Sequence, residues 1–105
     1  MAKTYDELLS ELTETEEGKD KINIVKNALL SETMDDFKQL FAIVARTTLQ
    51  TLLGISFYAF PKKVANPGLF TLDEIDFMAE LFKVEFDVML RFIRKAKKGK
   101  GKRKG

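Results

Sequence analysis

Apolar residues recur along this chain at steps of three and four, the period of a helix that buries one side. Tyr5, Leu8, Leu9 and Leu12 form the first stripe, and Thr4 with Glu7 supplies the S/T-x-x-E pattern that caps a helix start. Residues 13–20 are polar, contain Gly18 and are expected to be a link. A second helix is expected over residues 21–30, with Ile22, Val25, Ala28 and Leu29 on one side. Ser31 and Thr33 are both N-cap candidates for a third, whose stripe is Met34, Phe37, Leu40, Phe41 and Val44. Residues 47–53 form a short helix at most, because Gly54 stands where a left-handed C-terminal residue would.

Ser56 then opens a segment, 57–65, that is apolar first and basic later and contains Pro61; Asn66-Pro67-Gly68 ends it with strong turn chemistry. Thr71 with Glu74 is a second capping box, leading into Leu72, Ile75, Met78, Ala79 and Phe82. A break at Lys83-Val84 precedes a last helix with Phe86, Met89, Leu90 and Ile93. No stretch alternates in the manner of a strand. The expected class is all-α, with six or seven helices, several of them short.

Composition narrows the chemistry. The 105 residues are 45% hydrophobic, enough for one small core, and include no Cys, His or Trp. A Cys/His zinc site, a thiol nucleophile, a disulfide framework and a histidine base are thereby excluded. No catalytic residues, metal site, cofactor or small-molecule substrate are expected. The acidic groups Asp35-Asp36 and Asp73-Glu74 with Asp76 fall in first turns, where negative charge complements the helix dipole. The apolar runs are too short to span a membrane, and the N-terminus has no secretory h-region, so the expected location is cytoplasmic.

The net charge of +2 conceals a strong asymmetry. Residues 94–105 hold Arg94, Lys95, Lys97, Lys98, Lys100, Lys102, Arg103 and Lys104 and no acid. Residues 1–93 carry ten bases against 16 acids, so a body of about −6 bears a tail of about +8. Glycines 99, 101 and 105 lead to the expectation of a flexible basic tail, suited to phosphate contact without sequence preference.

The segment RTTLQTLLGISFYAFPKKVAN, residues 46–66, reads as two short helices about a glycine turn, with Leu49, Leu53, Ile55, Phe60 and Val64 inward. Together with FKQLFAIV before it, and NPGLFTLDEI and MAELFKVEFDVML after it, this segment resembles the Cro/repressor-type (XRE-like) helix-turn-helix domain of small prophage or mobile-element proteins. The resemblance covers about 60 residues, 34–93, and leaves 1–33 as an N-terminal helical extension. It implies sequence-directed binding of double-stranded DNA, usually as a homodimer, in transcription regulation. It also places Ser56, Phe57, Tyr58, Ala59 and Lys62 at the reading positions, with Thr47, Thr48 and Gln50 on the helix that contacts phosphates. Lys63 joins the DNA-binding set by its charge.

The reading face nevertheless offers Phe57, Tyr58 and Ala59 where base reading calls for Arg, Lys, Asn or Gln. Pro61 would be the fifth helical residue if Ser56 is the cap, so the helix either starts late or kinks. The alternative function is a phage-type interaction or structural accessory protein that holds a protein partner through Phe57 and Tyr58 and nucleic acid non-specifically through its tail. Leu8, Leu9 and Leu12 either support a homodimer or pack on the domain.

Overall fold

The computed structural model describes residues 3–102, with side chains through Lys97. The described residues form seven α-helices and no strand: α1 (Tyr5–Thr13), α2 (Glu16–Leu30), α3 (Phe37–Phe41), α4 (Arg46–Leu53), α5 (Ala59–Ala65), α6 (Leu72–Leu81) and α7 (Phe86–Lys102). A 3-10 turn, Pro67–Leu69, joins α5 to α6. Among these residues no helix is long and apolar enough to cross a membrane.

Local chemistry sets most boundaries. Both expected capping boxes are formed, Thr4 with Glu7 at α1 and Thr71 with Glu74 at α6. Gly54 ends α4 at φ +70°. Its N–H donates to the Thr51 carbonyl and the Ile55 N–H to the Gln50 carbonyl, the paired bonds of a Schellman ending. The same ending closes α2 at Glu32 and α6 at Lys83, both at φ +59° without a glycine. Ser31 is therefore a C-cap rather than an N-cap, its hydroxyl donating to the Asn27 carbonyl at 2.8 Å. Asp36, not Thr33, caps α3 by accepting the Gln39 N–H at 3.0 Å.

Residues 13–20 are not a link. Thr15 caps α2 by accepting the Gly18 N–H at 2.9 Å, and Glu16 and Glu17 fill the first turn, where the helix dipole favours them. Gly18 is buried in that turn because the end of α1 crosses it. A Cβ there would meet the Leu12 carbonyl oxygen at 2.5 Å, its Cα at 2.6 Å, and the Glu11 carbonyl oxygen closer still. The residue serves close approach, not flexibility. Gly18→Ala is expected to cost about 1–3 kcal/mol through overpacking against backbone that cannot yield, read as a lowered midpoint in urea. A midpoint equal to the wild type would refute the crossing.

One core joins all seven helices of the described residues. Leu12, Ile22, Val25 and Leu29 from α1 and α2 join Leu40, Leu49, Phe60, Met78, Phe82 and Met89 in a single buried cluster. Leu8 and Leu9 pack against it half-buried, α1 lies against α4, and α2 against α7. The first 33 residues are thus part of the globule rather than an appendage. Phe92, unplaced by periodicity, is buried with its ring 5.1 Å from that of Phe37.

The basic tail also departs from expectation. Instead of ending near Ile93, α7 continues to Lys102, through Gly99 and Gly101. Ala96 extends the buried stripe of Met89, Phe92 and Ile93 by one more step. Lys95 donates to the Glu32 carbonyl at 2.7 Å and pairs with Asp35 at 2.8 Å. These contacts hold the helix beyond Ile93, as far as Ala96. Arg103 and Lys104 lie outside the described residues.

Candidate nucleic-acid interface

The segment α4–Gly54–α5 is held from beneath by aromatic packing. Phe60, fully buried, stands 6.0 Å from Phe41 and 6.4 Å from Phe70, ring centre to ring centre. Phe37 links the group to α7 through Phe92, and to the 3-10 turn region through Phe70 at 5.3 Å. Leu49, Leu52 and Ile55 are buried on the α4 side, while Leu53 and Val64 are half-buried.

Ser56 acts as a cap, accepting the Ala59 N–H at 2.9 Å on its hydroxyl and the Phe60 N–H at 3.0 Å on its carbonyl. The next rung would require an N–H on Pro61, which has none, so the regular helix begins only at Ala59. Pro61 thus falls in the first turn of α5, where a missing donor is tolerated. The segment Phe57-Tyr58 is a turn of helical shape projecting from the globule, with Phe57 71% and Tyr58 82% exposed.

The expected site residues separate into groups. Thr47 and Lys62 are exposed, whereas Thr48 and Gln50 are half-buried, and Thr48 lines a cleft shared with α1 and α2. Ser56 is occupied by its capping role. Lys63 is withdrawn from the surface: its ammonium lies 2.7 Å from Glu74, with only 16% and 18% of the two side chains exposed, and 5.9 Å from the centre of the Phe70 ring. It ties α5 to the start of α6 and is not available to a phosphate as the sequence reading proposed. Lys95 is likewise engaged with Asp35 and the Glu32 carbonyl. Arg94 and Lys97 are exposed, and the Lys97 chain runs over Gly68. Lys98, Lys100 and Lys102 lie on α7, with side chains outside the described set.

Burial pushes the Glu74 carboxyl up, but hydrogen bonds from Lys63 and from the Thr71 backbone outweigh it and hold the group below the usual carboxylate range. A lowered folded-state value means the pair's contribution is complete above the unfolded carboxylate range. It fades as pH falls through the lower folded value. Lys63→Ala is expected to cost about 1–2 kcal/mol at neutral pH, between an exposed and a buried pair. Glu74→Gln should flatten the acid limb of stability against pH, followed by urea unfolding at several pH values.

Two cations missed by the sequence reading belong to this region. The Arg46 guanidinium lies 5.8 Å from the centre of the Phe41 ring and 5.7 Å from that of Phe60. Lys38 is exposed on α3, and both residues line a groove of about 310 Å³ with Val64 of α5 and Ala96 of α7. The groove sets Ala96 of α7 beside α3, α4 and α5. A signal for this was present in the chain: no Asp or Glu occurs between Asp36 and Asp73, nor after Asp87, although the protein holds 16 acids. The helices α3, α4 and α5 therefore contribute only positive charge. Comparison with protein-family models, curated proteins and solved structures finds no match.

Proposed function

We propose that this protein binds double-stranded DNA as a small transcriptional regulator, with α4 and α5 as a helix-turn-helix and the basic end of α7 as an arm on the phosphates. The observation that carries the reading is the acid-free stretch over α3, α4 and α5, packed beside the acid-free end of α7. Lys38 and Arg46 line the groove, where the one carboxylate is that of Asp36, engaged in capping α3, while Lys62 is exposed on α5. The reading is supported by the burial of Leu49, Ile55 and Phe60, which leaves Thr47, Tyr58 and Lys62 exposed, while Thr48 and Gln50 are half-buried. Such a protein acts in the cytoplasm, on the nucleoid.

Selection from a random duplex library tests this. The regulator enriches one sequence and prefers it over bulk DNA by orders of magnitude. Lys62→Ala should then lose about 1–3 kcal/mol at the selected site and much less on random duplex, as for a contact to a guanine edge. The exposure of Phe57 and Tyr58 favours a second reading, an accessory protein that docks a protein partner there and holds DNA non-specifically. Under it, no sequence is enriched and Lys62→Ala produces a small, uniform loss.

A further inference from the structure

The outward face of α5 and its leading turn consists of Phe57, Tyr58, Pro61, Lys62 and Ala65, all exposed. Only the Tyr58 hydroxyl and the Lys62 ammonium among them can hydrogen-bond through a side chain. Base edges are distinguished by paired donors and acceptors on long polar side chains, which this face lacks except for Lys62. The two rings touch each other edge to face, with centres 6.0 Å apart and planes at 81°, and neither belongs to the buried core. Their turn is fixed by the Ser56 cap and by Pro61, which stiffens it. Their exposure is not required by packing.

We propose that the corner formed by Phe57 and Tyr58 takes an unstacked nucleobase, its face against one ring and its edge against the other, so that this face also recognises a bulged or opened step in nucleic acid. The proposal rests on the nucleic-acid reading above and specifies what the tip of α5 takes. Charge supports the occupant. Lys62 lies one helical turn from Tyr58 on the same side and is exposed, so it adds positive charge beside the rings, and no acid occurs from residue 37 to residue 72. Every base has a π-face, so such a platform tolerates sequence while demanding that the base be out of its stack. Aromatic wedges of this kind also unstack deformable steps in duplexes.

The test uses the full chain and two duplexes of one sequence, one fully paired and one carrying a single bulged 2-aminopurine. The wild type should bind the bulged duplex about tenfold or more tightly and quench the 2-aminopurine emission. Phe57→Ala and Tyr58→Ala should remove the preference and the quenching, and Tyr58→Phe should retain both. Because both rings are solvent-exposed, these variants are expected to melt like the wild type, which circular dichroism checks. Equal binding of the two duplexes by the wild type overturns the proposal and leaves the DNA-binding reading standing. Binding of neither duplex overturns both. A Phe57→Ala change that abolishes self-association in light scattering, with the bulge preference intact, assigns the face to a second copy and overturns the stacking role.

Discussion

Phe60→Ala is expected to destabilise the protein by about 3–5 kcal/mol, the usual cost of removing a buried phenyl ring and leaving a cavity. Domains of this size have only about 5–15 kcal/mol in total, so the variant should unfold at markedly lower urea. Phe60 is the one buried residue of α5 and touches both Phe41 and Phe70. It also supports the Arg46 guanidinium from 5.7 Å. The loss should therefore reach beyond stability. DNA binding should fall even under conditions where the variant remains folded, because the helix loses its seat and Arg46 its platform. Phe60→Leu, which retains much of the volume, should recover most of both. A destabilisation below about 1 kcal/mol for Phe60→Ala would mean that α5 is not seated on this cluster.

Truncation after Lys97 should produce the largest change in affinity. It removes Lys98, Lys100, Lys102, Arg103 and Lys104 and no acid. The cut belongs there and not after Ile93, because Ala96 is buried and Lys95 fastens α7 to the loop after α2. If all five bases meet phosphates, the slope of log affinity against log salt should become shallower by about 4.5. Between about 50 and 200 mM salt, the intact chain should then lose roughly 500-fold more affinity than the truncated one. Fluorescence anisotropy on a random duplex measures this. Parallel salt dependences for the two proteins would show that the end of α7 does not contact the phosphates.

Features that depend on neighbours in the chain could be read from residues alone. The boxes of Thr4 with Glu7 and Thr71 with Glu74 operate within one turn, and Gly54 ends α4 because only the local backbone decides whether φ can be positive. The apolar stripes identified the core, and the residues expected inward on α4 and α5 are buried or half-buried. The same local logic failed where a residue answers to a distant one. Gly18 resembles a breaker in sequence, yet it admits the backbone of α1 into a helix. Lys63 has the look of a surface cation, but Glu74, eleven residues on, withdraws it from solvent. Lys95 reads as part of a tail until the loop between α2 and α3 supplies its partners, Glu32 and Asp35, at least 60 residues away in sequence. Arg46 was silent until the rings of Phe41 and Phe60 gathered beneath it. Periodicity and capping are short-range and set which segments become helices. Close approach, ion pairing and the juxtaposition of α7, at Ala96, with α3, α4 and α5 are energies between segments, and only the packed chain decides them.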